Sequence, residues 1–185
     1  MLSLTQLWVP ILLSAVAVFV ASSVIHVASP WHRGDYPRMH NEAEVMDAMR
    51  PLAIPPGDYL FPRPTSMADM KSPEFGAKLE RGPNVLMTVM PNGPVQMGGT
   101  FVQWMVYLLV VSLLVAIAAL GIRPGARHLV VFHQTALVAF AAYALALWQL
   151  TIWYRRSLSI SVKWTVDAAI YAAITGAVFV LFWPA

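Results

Sequence analysis

Apolar residues gather into four long runs, at about residues 7–29, 101–121, 128–153 and 164–183, and a polar, proline-studded stretch, residues 30–100, separates the first from the second. Each run is long enough to cross a hydrocarbon core about 30 Å thick, which takes roughly 20 residues at 1.5 Å of rise each. The pattern predicts an all-α membrane protein of four transmembrane helices, with a mixed α/β extramembrane cap of about 70 residues between helices one and two. Residues 1–29 then hold the first helix, 30–100 the cap segment and 101–185 the other three helices. The first run does not read as a secretory leader: it lacks a basic flank, its apolar region is too long, and no small-x-small site follows clearly.

The intervening stretch is punctuated for short elements. Ser29, Pro30 and Pro37 end the first helix and turn the chain along the membrane surface. Asn41 as N-cap with Glu44 three residues on predicts a capped helix that Pro51 stops, with Val45, Met46 and Met49 as its apolar face. The run Ile54, Pro55, Pro56, Gly57, Asp58 reads as a turn feeding an extended piece through Phe61. Ser72, Pro73 and Glu74 start a second short helix that Gly82 terminates, and residues 85–90 read as a strand closed by the turn at 91–94. Elements this short bury little by themselves. The segment must therefore lean on the membrane surface, on helix ends or on another protein, and Tyr59, Phe61, Met87, Met90 and Met97 are the residues expected to contact a partner.

Interfacial aromatic residues assign the ends of the spans. Trp8 and Trp183 mark one side; Trp31, Trp104, Trp153 and Trp164 mark the other. Arg33, Arg38, Arg155, Arg156 and Lys163 lie near span ends on the long-segment side, against Arg123 and Arg127 opposite. That excess places the long segment in the cytoplasm, with the reverse orientation as the alternative. The fourth run carries two small-residue ladders, Ala168-Ala172-Gly176 and Ala169-Ala173-Ala177, that suit close helix packing. Ala139, Ala142 and Ala146 offer a matching surface in the third, within the chain or on another subunit.

Composition narrows the chemistry. The chain is 58% hydrophobic and 11% charged, far from a soluble mix. It has no cysteine, which removes thiol chemistry and disulfides, and its formal charge of +3 is spread, which leaves no footprint for nucleic acid. The spacing Met-x-x-Met occurs at Met46/Met49, Met67/Met70 and Met87/Met90. Thioethers suit Cu(I), so the first two pairs are copper candidates, against a reading of methionines as packing or contact surface. His26, His128 and His133 lie in or beside spans and are candidate haem or chlorophyll ligands, although His26 and His133 fall at different depths and cannot share one haem. Asp167 is the lone acid within a span and follows Lys163 by one turn, so the pair reads as an ion pair at the helix entrance. His32, Asp35, His40, Glu42 and Glu44 match no metal-ligand spacing and read as surface polar residues. No phosphate loop, HExxH or nucleophile elbow is present.

The strings PPGDY at 55–59, SPEF at 72–75, TVMPNGP at 88–94 and WYR at 153–155, followed by Lys163 and Asp167, resemble those of an uncharacterised family of small bacterial four-helix inner-membrane proteins. That resemblance implies a multi-pass protein of the bacterial inner membrane and no catalytic residue. The expected role is a non-enzymatic accessory or structural subunit of a larger bacterial membrane complex, in electron transport or photosynthesis, contacting lipid and other subunits and needing no cofactor of its own. The alternatives are a copper-handling membrane protein using the methionine pairs, and a small transporter using Asp167.

Overall fold

The structure, a computed structural model, describes residues 2–185. Among these, four helical segments are long and apolar enough to cross a membrane: Trp8–Ala28, Met97–Ala119, His128–Tyr154 and Leu158–Leu181. The first joins helix α1 (Trp8–Ser23) to a π-helical turn, Val24–Ala28. The second is α5 (Met97–Ala119). In the third, α6 (His128–Ala144) passes through a 3₁₀ turn, Leu145–Leu147, into α7 (Trp148–Tyr154), and the fourth is α8 (Leu158–Leu181). The outward faces carry residues such as Val16, Val20, Val110, Leu114 and Leu137, an apolar surface suited to lipid.

The chain divides into two compact units. One comprises the described residues up to Tyr36 together with Gln96–Ala185; the other is Pro37–Val95. The second unit is shorter than the expected cap, because residues 30–36 fold with the helices and α5 begins at Met97, through the glycines that read as loop.

In the helix unit, the small residues predicted to form ladders separate by face. Ala168, Ala172 and Gly176 are buried, whereas Ala169, Ala173 and Ala177 are exposed. A Cβ at Gly176 would lie 2.9 Å from Phe132 Cδ2 and 3.0 Å from the Ala136 Cβ, so hydrogen at this position is what lets α6 and α8 approach. Ala139 is buried in the same core, while Ala146 is exposed. Polar links cross the spans as well: Ser14 Oγ donates to Ser112 Oγ at 3.0 Å, and Trp104 Nε1 donates to Ser22 Oγ at 2.9 Å. At the end holding the α5–α6 turn, Trp183 Nε1 donates to the Arg123 carbonyl and Gly125 N donates to that of Pro184.

In the Pro37–Val95 unit, β1 (Gly57–Phe61) pairs antiparallel with β2 (Val85–Val89), in the register Tyr59↔Met87. This ribbon makes the fold mixed rather than all-α. Three helices accompany it: α2 (Glu42–Met49), the single turn α3 (Met67–Met70) and α4 (Pro73–Arg81). Ser72 caps α4 as expected, its Oγ accepting from Phe75 N at 3.1 Å, and Phe75 is the buried apolar residue of that helix. Gly82 takes a φ of 58°, which glycine adopts without Cβ strain, and stops it. The expected capping box at α2 does not form. Asn41 sits at φ −111° and ψ 38°, outside the extended region a capping side chain needs, and makes no side-chain cap bond.

The packing of α6 on α8 makes a sharp expectation. Gly176→Val should lower the stability of the helix unit by about 1–3 kcal/mol through overpacking, read as a reduced thermal midpoint in detergent. Ala177→Val, on the outward face, should leave the midpoint unchanged, and equal effects of the two would contradict this packing.

Candidate functional site

Where α1 ends, the chain folds back into the helix unit. The π-helical turn adds a residue to the helical repeat around His26, a distortion that recurs at functional sites. Ser29 follows in extended conformation, as a residue before proline prefers, and its Oγ donates to the Ile25 carbonyl at 2.6 Å. Two tight turns close through Arg33 N to the Pro30 carbonyl and Asp35 N to the His32 carbonyl. This conformation brings Trp31, His32 and Asp35 against α8.

There they form a continuous polar network. Asp167 Oδ1 accepts from Trp31 Nε1 at 3.1 Å, and its Oδ2 lies 2.8 Å from His32 Nε2. His32 Nδ1 lies 2.7 Å from Asp35 Oδ2, while Lys163 Nζ donates to Asp35 Oδ1 at 2.6 Å and to the Trp31 carbonyl at 2.8 Å. The expected Lys163–Asp167 ion pair is therefore replaced. Lys163 belongs to Asp35, and Asp167 belongs to His32 and Trp31, because the turn inserts its own groups between α8's two charges. His32 and Asp35 are correspondingly not surface residues: their side chains are 12% and 5% exposed.

Both ring nitrogens of His32 face carboxylate oxygens. With both carboxyls ionised, both contacts are hydrogen bonds only if the imidazole carries a proton on each nitrogen. With Lys163 charged, the four groups sum to zero, which is how buried ionic groups are tolerated.

His26 completes the cluster. Its ring stacks on that of His32, with centroids 4.2 Å apart and planes 16° from parallel. His26, His32 and Asp167 offer ligand atoms within 4.8 Å of one another. Imidazoles bind a metal best in the ring plane, and two rings stacked 16° from parallel do not both direct a nitrogen lone pair at one nearby point. As placed, the arrangement is a hydrogen-bonded charge network.

Beside this network lies a cavity of about 350 Å³. All four spans contribute to its wall, through His26, Trp104, Tyr143, Leu147, Asp167 and Tyr171 among others. Tyr143 and Tyr171 are 6% and 5% exposed and meet edge to face, centroids 5.7 Å apart. Their hydroxyls are buried against protein atoms, that of Tyr143 beside Thr175.

The other candidate residues lie elsewhere. His128 and His133 are exposed on the first turns of α6, and His133 meets only the edge of Phe132 among aromatic neighbours. Met46 and Met49 are on α2, and Met67 and Met70 bound α3. Tyr59 and Met87 face each other across the ribbon half-buried, whereas Phe61, Met90 and Met97 are exposed. Comparison with known protein families, with curated proteins and with solved structures finds no match to this chain, and the resemblance drawn from its residue strings stands on those strings alone. Sequence reasoning picked out Asp167 and His26. It missed Trp31, His32 and Asp35 as partners, although a lone acid in a span requires one and His32 and Asp35 have the i, i+3 spacing of a turn.

Burial by itself would raise the Asp35 carboxyl, but the hydrogen bonds from Lys163 and His32 outweigh it and hold the group below the usual carboxylate range. A depressed carboxylate contributes stability in full above its unfolded value near 3.9, and that contribution is lost as pH falls through the lower folded value. Asp35→Asn should therefore lower the thermal midpoint at pH 7, with the difference from wild type narrowing as pH drops below about 4. A difference that stays constant from pH 7 to pH 3 would show that Asp35 is not held as a carboxylate by this network.

Proposed function

We propose that this chain is a non-enzymatic membrane protein that binds a lipophilic small molecule at Asp167, inside its helix unit. Of the roles expected from sequence, the small transporter is the one this geometry supports best. One observation carries the reading: a cavity walled by all four spans and lined by aromatic rings has the sole intramembrane acid in its wall. A polar site of that kind within spans is costly to maintain and is ordinarily functional. No nucleophile paired with a base lies in the wall, which is why binding and passage are proposed rather than catalysis.

The accessory-subunit role remains a second reading, and a separate surface favours it. Leu60 and Leu86 pair on one face of the ribbon and are 52% and 51% exposed, with Met90 and Val95 exposed nearby in sequence. Such a surface suits contact with another protein. In both readings we place the protein in the bacterial inner membrane with the Pro37–Val95 unit in the cytoplasm, following the distribution of basic residues at the span ends.

A neutral lipophilic benzophenone photoprobe, applied to the full chain in lipid nanodiscs, tests the cavity. Labelling is expected on peptides containing Trp104, Tyr143 or Tyr171, and Leu147→Trp, which puts a bulkier ring into the cavity, should reduce it at least fivefold. Labelling confined to the outward faces, or unchanged in Leu147→Trp, would overturn the reading.

A further inference from the structure

We infer that the molecule bound in this cavity is a lipophilic monocation and that its binding displaces one proton from His32. The inference rests on the cavity being a binding site and adds the charge of the ligand and its exchange partner. The wall is dominated by aromatic rings, Trp104, Tyr107, Tyr143, Trp164 and Tyr171, and Asp167 is the carboxylate among the lining residues. Aromatic faces carry negative quadrupole potential and attract organic cations, and a carboxylate in the same wall supplies the counter-charge.

The counter-charge is already occupied, and that determines the chemistry. The titratable groups facing His32 are Asp35 on its own turn, Asp167 and Lys163 from α8, and His26 stacked on it from the end of α1. With His32 protonated and His26 neutral, two carboxylates balance one imidazolium and one ammonium. A monocation entering this set would leave an uncompensated charge in a poorly solvated place, which is strongly disfavoured. If His32 gives up one proton, the set carries a single negative charge and one monocation restores neutrality.

The exchange balances without another reactant. The N–H bond at His32 Nε2 breaks, its electron pair stays on nitrogen, the proton leaves to solvent, and the ligand's charge in the cavity takes over the compensation of Asp167. The neutral ring keeps its Nδ1 proton, and Asp35 Oδ2, 2.7 Å away and anchored by Lys163, is positioned to hold that tautomer. Asp167 is thus a ligand-binding residue, and Asp35 a positioning residue that acts through His32.

The test uses the full chain in nanodiscs, radiolabelled tetraphenylphosphonium as the probe cation and an uncharged tetraphenyl analogue of the same shape. Tetraphenylphosphonium affinity should rise by up to about tenfold per pH unit while His32 is protonated in the free protein. A pH dye in weakly buffered solution should record close to one proton released per cation bound. Asp167→Asn should weaken the cation at least tenfold. His32→Gln should bind it with no proton release and a flat pH profile, a readout that mere loss of structure would not produce. Cation binding without proton release in the wild type, or equal binding of the uncharged analogue, would overturn the inference while leaving the cavity reading intact. If neither probe displaces the benzophenone label, and that label itself fails to reach the cavity, both readings fall together.

Discussion

The position of His32 between two buried carboxylates is the interaction on which the rest of the helix unit depends. Asp167 lies on α8, whose surroundings are apolar, and is 3% exposed. A carboxylate there is tolerated only if its charge is matched and its oxygens are bonded. Lys163, one turn earlier on the same helix, is engaged by Asp35, so the match must come from another element. The residues after α1 provide it, and the requirement explains their unusual course. The π-helical turn, the extended Ser29 and the two tight turns that follow return the chain to α8 instead of leading it away. Removing one member of such a set typically costs about 3–5 kcal/mol, because the remaining charge is left uncompensated. The network therefore fixes the local backbone as well as the electrostatics.

Helix packing gives the network its setting. Around Gly176 the absence of a side chain allows Phe132 and Ala136 of α6 to lie against the α8 backbone. Toward the level of Asp167 the contact between the same two helices becomes aromatic, with Tyr143 set edge to face against Tyr171, and against Tyr107 of α5 as well. Large rings cannot fill space as closely as methyl groups do, and the cavity lies among them. A tight end and a loose end on one helix pair thus follow from which residues are small and which are aromatic. The polar network lies beside the loose end, where a guest has room.

Much of this architecture was legible in the sequence, because hydrophobic runs of sufficient length have few alternatives in a membrane. The four spans, the cap at Ser72 and the small-residue ladders of α8 follow from local pattern, but which of the two ladders is buried does not. Two boundaries did not: α8 begins at Leu158, through a serine-rich stretch whose Ser161 is buried against Thr151, and α5 begins before its apolar run at Met97. The site was only partly legible for a related reason. Asp167 announces itself by being an acid in an apolar helix, but its partners His32 and Asp35 are more than 100 residues away and sit in a stretch that reads as surface loop. Long-range pairing of this kind leaves no periodicity. The aromatic cavity wall is likewise a property of packing, which sequence alone does not display.

The protonation state of one ring decides the central claim. In protein labelled with ¹⁵N at histidine and reconstituted in lipid, with His32 assigned by comparison with His32→Gln, solid-state NMR reports whether each ring nitrogen carries a proton. The account expects both ring nitrogens of His32 in the ligand-free protein to carry protons, engaged by Asp35 and Asp167. A neutral His32 with a single protonated nitrogen, under the same conditions, would contradict it.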